Sequence, residues 1–553
     1  MRLEIHEKII EQMKEKFPDN VVYEKDETSV RFSSRRTIDS KFLSEEEVAE
    51  LQKIYQEPQW KEKVEDRRVL TNLNALLKLL SGKEANIKNL KTMTEALKME
   101  IAKLPRHWVF VQDEYAEVMR PYFVTKIQYE APRQGSEPAI SFIARAMYRG
   151  AQTSVTYRIH RDDLGPKGCN ASQLLENIGT YPETEELVQE HEEYIEKYQS
   201  MFSQTGLQLT GTGKAVTNAD RWSREVFKLD SGGVPSKMVI DDLEERKDKD
   251  SPTVSCDLWV VKHGTDGEEA DVYRLPVLPY IRTFNLKVHA FMDVHVANVE
   301  VYEYEKGLQD KLVLEDDKRE LIDLLVSSGG DDSRDIVQGK SGGVIIITSG
   351  PPGVGKTLTA EVYSEKVERP LYVVQCSQLG TNPDNLEKEL NTVLERAVRW
   401  NAVLLIDEAD VYIHERGNDI QQNAIVGVFL RVLEYYSGVL FLTTNRECVV
   451  DDAIISRCIA HIRYKIPSQD QLVELWSILS EQYQVPFSKE MCKELAESFP
   501  HISGRSVKQL IRLSKALCSS RGEEITPDAI AWVSRFQHIE LTDETKKKFP
   551  VVN

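Results

Sequence analysis

The sequence predicts an α/β fold in its C-terminal half, closed by further helices and preceded by a helical segment and an α+β domain. Three observations predict it. Short apolar runs at Val344 to Thr348, Val403 to Ile406 and Val439 to Thr444 alternate with helical patterns, as the strands of a parallel sheet do. Directly after the first run, Gly350 to Thr357 reads Gly-Pro-Pro-Gly-Val-Gly-Lys-Thr and leads into a helical pattern with Leu358 and Val362 on one face. Far upstream, near Trp108, helical spacing gives way to short strand-like runs broken by Gly, Pro and Asp.

The Gly350 to Thr357 stretch fits G-x-x-x-x-G-K-[ST] at every fixed position. A chain of this length holds that pattern by accident about once in fifty cases, and the strand-loop-helix context lowers the odds further. It predicts a P-loop NTPase rather than a glycine-rich turn. Backbone N–H groups of such a loop, opening onto a helix N-terminus, form a concave anion site that side chains would obstruct. Gly350, Pro351, Pro352, Gly353, Val354, Gly355, Lys356, Thr357 and Leu358 are therefore the nucleotide-binding candidates. Lys356 reaches β- and γ-phosphate oxygens, and the Thr357 hydroxyl is placed for Mg²⁺. A similar phrase, Gly211 to Lys214, has Gln208 where the first glycine belongs and Ala215 where the hydroxyl belongs, and reads as a plain loop.

At 553 residues the chain has room for two to four domains. A net charge of −19 disfavours nucleic acid and anionic lipid as partners, and leaves nucleotides and proteins. The apolar runs are too short to span a bilayer, and the N-terminus, Met1-Arg-Leu-Glu-Ile-His-Glu-Lys, lacks the apolar core of a secretory signal. A cytoplasmic location is the default expectation. Seven scattered cysteines show neither a C-x-x-C pair nor zinc spacing, so reduced thiols are expected.

In chain order, Leu3, Ile5, Ile9, Ile10, Met13 and Phe17 predict an amphipathic first helix, and Ser44 with Glu47 is a capping box opening a second. Ile87, Leu90, Leu97, Ile101 and Leu104 predict a helix packed within the chain. Strands follow at Trp108 to Val111 and Ser154 to Ile159, then a helix from Glu183 to Phe202 whose seven glutamates between 183 and 196 read as a solvated face rather than a metal site. Asp241 to Asp250 reads as an exposed charged loop. Leu258 to Lys262 and the alternation Phe284, Leu286, Val288, then Met292, Val294, Val296 predict further strands, with His289 and His295 facing solvent or satisfied in the core. From Leu308 the pattern is helical, through Leu321, Leu324 and Leu325, up to a glycine- and aspartate-rich loop.

Beyond the phosphate loop come a strand at Leu371 to Cys376, a helix from about Asp384 to Trp400, and the apolar strand Val403 to Ile406 ending in Asp407-Glu408-Ala409-Asp410. This is a Walker B element. Asp407 would hold Mg²⁺ through water, and Glu408 would polarise the water that attacks the γ-phosphate. The third run, Val439 to Thr444, ends in Asn445, whose amide could orient the same water.

Taken together, these residues resemble the AAA family of ATPases from roughly Leu308 to Phe536. The resemblance implies an AAA+ core with ATP and Mg²⁺ as cofactors, Asn445 as sensor 1, Arg457 as an arginine finger, Arg505 in Ser503-Gly504-Arg505 as sensor 2, and an α-helical lid from Gln469 to Ser480, Glu490 to Ser498 and Arg505 to Ser519. It also implies a ring of identical subunits, expected as a hexamer. Gly339-Lys340, Asp407 to Val411 and Phe429 to Tyr436 resemble an AAA group seen in fungi and bacteria, whose N-terminal regions have no assigned role. The resulting divisions are a helical region at 1–104, an α+β client or partner domain at 105–305, the ATPase core at 306–466, and the lid with a tail at 467–553.

Two departures qualify the resemblance. Members that thread polypeptide carry an aromatic pore loop, whereas Gln378-Leu-Gly-Thr-Asn-Pro-Asp384 has no aromatic residue. Only Arg457 matches a finger position, because Cys458 replaces a second arginine, and Ser456-Arg457-Cys458 also resembles clamp loaders. Three function classes follow: a protein-remodelling machine whose N-terminal region selects a client, a nucleotide-gated switch or scaffold, and a clamp or helicase loader. The net charge opposes the last.

Overall fold

The computed structural model describes residues 2–18, 20, 35–39, 43–61, 66–67, 69–70, 73, 77, 87–113, 116–132, 137–220, 223–230, 233–242, 260–263, 271–328, 343–380, 382–417, 419–445, 450–537 and 539. Two compact units emerge. Met1–Gln204, Thr210–Asn285 and His289–Glu300 form the first, and Thr205–Leu209, Leu286–Val288 and Val301–Asn553 the second.

The first unit opens on a strand, Arg2–His6, where helical spacing predicts a helix. Leu3 and Ile5 fit both periods, and antiparallel pairing with Arg35–Asp39 buries both. The helix starts at Glu7 and runs Glu7–Lys16, with His6 Nδ1 accepting from Lys8 N at 3.3 Å. In the next helix, Glu45–Tyr55, the predicted capping box is formed: Ser44 Oγ accepts from Glu47 N at 3.3 Å and the Glu47 carboxylate accepts from Ser44 N at 2.7 Å.

Helix Leu90–Ala102 buries Leu90, Leu97 and Ile101 in the core of a six-stranded sheet, while Ile87 precedes the helix, packs against the same core and bridges Cys169. The sheet order is Val277–Leu278, Ala139–Tyr148, Met119–Glu130, Trp108–Gln112, Thr180–Pro182, with Ala151–Ile159 pairing beside Ala139–Tyr148. The glutamate-rich helix runs Glu185–Met201. Five of its glutamates, at 185, 186, 192, 193 and 196, are exposed as expected, but Glu183 precedes the helix, is buried, and accepts from Arg106 N at 2.6 Å. Burial raises its carboxyl above the usual range.

Strands Ser223–Lys228, Lys214–Asp220, Ala290–His295, Tyr280–Asn285 and Ser236–Ile240 lie side by side in that order in a second antiparallel sheet. The alternation predicted through Leu286 and Val288 is interrupted there. Val288 is exposed and His289 has φ 56°, so the strand ends at Asn285 and the chain turns. His295 is buried, its Nδ1 accepting from Ala297 N at 3.2 Å. Most of the charged stretch from Asp241 to Asp250, the start of the Leu258 strand, and the loop ahead of the phosphate loop with Gly339-Lys340 lie outside the described residues.

In the second unit the elements are α1 (Asp316–Ser328), β1 (Val344–Ser349), α2 (Lys356–Lys366), β2 (Leu371–Gln375), α3 (Cys376–Leu379), α4 (Pro383–Arg399), β3 (Val403–Asp407), α5 (Asp410–Ile413), α6 (Ile420–Leu433), β4 (Val439–Thr444), α7 (Asp452–Ile455) and β5 (Ala460–Arg463). The five strands form one parallel sheet in the order β2-β3-β4-β1-β5. Every residue of β1 and β4 is buried, which is why their sequences read as continuous apolar runs rather than alternations. Helices α8 (Gln469–Gln482), α9 (Lys489–Ser498), α10 (Gly504–Arg521) and α11 (Pro527–Ser534) share a separate core of Leu472, Trp476, Leu495, Phe499, Leu510 and Ile530. The sequence reading stopped short of α11, although Thr526 as N-cap and Pro527 at the first turn mark its start.

Candidate active site

Parallel register brings the carboxyl ends of the strands to one edge: Gln375 pairs with Asp407, Ser349 with Thr444, and Ser349 also with Arg463. Open α/β sheets bind ligands at this edge, because the loops there are free to vary while the strands stay fixed.

The phosphate loop leaves β1 at this edge. Gly350 has φ 143°, and a Cβ there would stand 2.3 Å from the Tyr464 carbonyl oxygen. At Gly353, φ 80°, a Cβ would lie 2.7 Å from both Arg505 Cβ and Ser503 Oγ, so the first turn of α10 rests on the loop. Arg505 N donates to Gly353 O at 3.2 Å across the same contact. Gly355 is the N-cap of α2 and supplies no side-chain cap, which leaves the first-turn N–H groups of that helix for an anion. Lys356 Nζ donates to Gly350 O and Pro351 O, each at 2.7 Å. Burial holds its ammonium pKa below the usual lysine value, Asp407 and Asp410 oppose that, and Arg505 adds to it. Leu358, predicted on one face with Val362, is 43% exposed while Val362 is 2% exposed. The face buried by α2 is instead carried by Thr359, Ala360, Val362 and Tyr363.

The acids stand at the end of β3. Thr357 Oγ1 donates to Asp407 Oδ1 at 3.2 Å, and Thr443 Oγ1, from β4, donates to the same oxygen. Glu408 has φ 55°, a left-handed conformation that costs a residue with a Cβ about 1–2 kcal/mol. Its N–H donates to Thr443 Oγ1 at 3.0 Å, and its carbonyl accepts from the Cys376 thiol at 2.9 Å. Burial, then the Asp410, Glu408 and Asp407 carboxylates, push Cys376 up to about 12, so at neutral pH it remains a thiol and can donate. Thr444 Oγ1 donates to Asp410. Sequence reasoning passed over Thr443, Thr444 and Cys376. The one signal was a pair of hydroxyls closing an otherwise apolar strand, Val439-Leu-Phe-Leu-Thr-Thr444.

A hydroxyl and a carboxylate oxygen 3.2 Å apart are the hard donors magnesium takes. Among the described residues no group of three His, Cys, Asp or Glu side chains could hold a metal by protein ligands alone. Thr357 and Asp407 thus fit a cation that completes its shell with water and substrate phosphate.

The remaining candidates lie around this cluster. Asn445 is exposed at the end of β4, next to Thr444. Arg505 touches the loop through its backbone and Cβ. Arg457 is turned elsewhere: Nη1 donates to Ala453 O at 3.1 Å and Nη2 pairs with Glu434 at 3.4 Å. The carboxylate paired with Arg457 thus comes from the end of α6, not from Asp452 at the start of α7. In the stretch corresponding to a pore loop, Leu379 is 3% exposed, and the single Tyr412 hydroxyl proton is shared between the carbonyls on either side of it, Cys376 O at 3.0 Å and Gly380 O at 2.8 Å.

Residues 346–466 match the family described as ATPase family associated with various cellular activities (AAA). A protein named as a 26S proteasome regulatory subunit homolog, from Methanocaldococcus jannaschii, is 24% identical over 200 residues, covering 34% of this chain and 53% of that protein. The human ATPase family gene 2 protein homolog B is 30% identical over 118 residues, covering 20% of this chain and 16% of that protein. The chain therefore spans about half or less of the length of these relatives. A chain of an E. coli HORMA, CdnC and Trip13 complex is 16% identical with a TM-score of 0.35, covering 42% of this chain and 91% of that one. Among the described residues, no helix is long and apolar enough to cross a membrane.

Proposed function

From the premise that this chain carries an AAA ATPase domain over residues 346–466, we propose that it hydrolyses ATP with magnesium and uses the cycle to remodel a protein client. The observation that carries the proposal is the meeting of Thr357 with Asp407 at 3.2 Å, beside Lys356 and Glu408, at the carboxyl edge of the sheet. The loop amides and Lys356 bind the β- and γ-phosphates; Lys356 exchanges its two loop carbonyls for phosphate oxygens. Thr357 and Asp407 hold magnesium, which when bound neutralises charge on the phosphate oxygens. Glu408 takes a proton from water as the water oxygen bonds to the γ-phosphorus. The bond from that phosphorus to the bridging oxygen of ADP breaks, and its electron pair stays on ADP. Asn445 orients the water, and Arg505, resting on Gly353, moves the lid as phosphate leaves.

Phosphate release from ATP by the purified chain tests the activity. Lys356→Ala should weaken ATP binding by at least about tenfold, since a charge-assisted hydrogen bond to phosphate is worth about 1.5–3 kcal/mol. Unchanged affinity for a fluorescent ATP analogue would remove Lys356 from the site.

The proposed client is a protein, selected by the N-terminal unit with its antiparallel sheets, and the assembly a cytoplasmic ring, expected as a hexamer. Threading is not the proposed mode, because Leu379 is buried and Tyr412 holds the flanking carbonyls, leaving no aromatic grip. A tagged fluorescent protein should remain folded when incubated with the chain and ATP. Efficient ATP-dependent loss of its fluorescence would establish threading instead.

A further inference from the structure

We propose that Thr443 is a positioning residue for ATP hydrolysis, a single buried hydroxyl that sets both acids at the end of β3. The proposal rests on Glu408 acting as the general base and Asp407 as the carboxylate on the magnesium side.

A threonine hydroxyl has one proton to give and two lone pairs to accept with. Thr443, 2% exposed, uses both functions on neighbouring residues of one strand end. Its proton goes to Asp407 Oδ1, and its oxygen accepts the Glu408 N–H at 3.0 Å. The Thr443 carbonyl also accepts the Ala409 N–H at 2.8 Å. From the start of α3, the Cys376 thiol donates to the Glu408 carbonyl at 2.9 Å. The peptide groups on both sides of Glu408 are thereby pinned, and Glu408 is held in its left-handed conformation by partners on β4 and at the start of α3. With the backbone fixed, the direction of its Cα–Cβ bond is fixed, and the carboxylate is aimed before water arrives. A general base misplaced by an ångström loses much of its effect, so this aim matters to turnover more than to binding.

Thr357 donates to the same Asp407 oxygen, but Thr357 is also the hydroxyl a bound cation would recruit. Thr443 is then left as the donor that keeps Asp407 in place. Thr444, one position on, serves a different acid, Asp410, and cannot substitute. Side chains alternate across a strand, so the two hydroxyls point to opposite faces of β4.

The test compares Thr443→Val, which keeps the shape and removes the hydroxyl, with Thr443→Ser, which keeps the hydroxyl, and with Glu408→Gln. Steady-state ATP turnover, the Kd for a fluorescent ATP analogue and the thermal midpoint are measured for each. Thr443→Val should lose about tenfold to a hundredfold in kcat, the range expected when one buried donor and one buried acceptor lose their partner. Its nucleotide Kd should stay within about threefold of wild type, because the phosphate loop is untouched. Thr443→Ser should retain turnover within about threefold. If Thr443→Val is unfolded, Thr443→Ala, which also lacks the hydroxyl but adds no bulk, takes its place. Wild-type turnover without the hydroxyl, beside an inactive Glu408→Gln, overturns the proposal alone. Equal loss in Thr443→Ser and Thr443→Val overturns it too, since packing rather than the hydroxyl would then matter. Wild-type turnover in Glu408→Gln overturns the reading beneath it as well.

Discussion

Glu408→Gln should turn over ATP at least about a hundredfold more slowly than wild type while binding ATP and magnesium as tightly, the loss expected when a general base is removed. The amide has the shape of the carboxylate but cannot accept the proton that the attacking water releases. The backbone bonds that hold residue 408, from its N–H to Thr443 Oγ1 and from the Cys376 thiol to its carbonyl, do not involve the side chain and should survive the change. Reduced kcat with unchanged nucleotide Kd, measured by phosphate release and by fluorescence titration, is the expected pair of results. A parallel fall in affinity would mean that Glu408 shapes the pocket rather than the chemistry.

Arg457→Ala should lose turnover by about a thousandfold, because a positive charge supplied to the transferring phosphoryl group is worth that much or more. The residue lies twelve positions beyond Asn445, just past α7, and in the single chain it bonds to Ala453 and Glu434 rather than to its own phosphate loop. Both partners of the Glu434 pair are about one-third exposed, so giving it up costs at most about 1 kcal/mol. A thousandfold gain corresponds to about 4 kcal/mol. If Arg457 reaches a neighbour's γ-phosphate in the transition state, that gain would outweigh the loss of the Glu434 pair. Mixing inactive Arg457→Ala with inactive Glu408→Gln should restore part of the activity, since some interfaces would combine an intact finger with an intact base. Constant activity per subunit on dilution to monomers, or wild-type turnover in Arg457→Ala, would place the arginine outside the chemistry.

The fold of the second unit was legible because β1 and β4 are fully buried and β3 is buried up to Asp407, so these three read as unbroken apolar runs, and because a phosphate loop fixes residue types at fixed offsets. Asp407 and Glu408 could be nominated because two acids closing an apolar strand, ordinary by themselves at a polar turn, follow a phosphate loop with Lys356 in the same chain. What escaped depended on contacts between strands. Nothing in Val439 to Thr444 says that the first threonine faces Glu408 and the second Asp410, because that follows from the offset of β4 against β3. The partner of Arg457 lies twenty-three positions upstream at the end of α6, beyond any local rule. At the N-terminus the error was one of period: Leu3 and Ile5 suit a helix and a strand equally, and only the partner strand Arg35–Asp39 decides. Leu358 misled for a similar reason, since position on a helix face does not reveal which part of that face the sheet covers.

Hydrolysis at this site is tested most directly by a single turnover with enzyme in excess of ATP and magnesium saturating, followed by extraction and separation of the nucleotides. Wild type should yield ADP and phosphate, while Glu408→Gln, loaded to the same extent, should return its nucleotide as intact ATP over the same interval. ADP appearing at equal rates in the two proteins would contradict it, and would move the chemistry away from Glu408 and the end of β3.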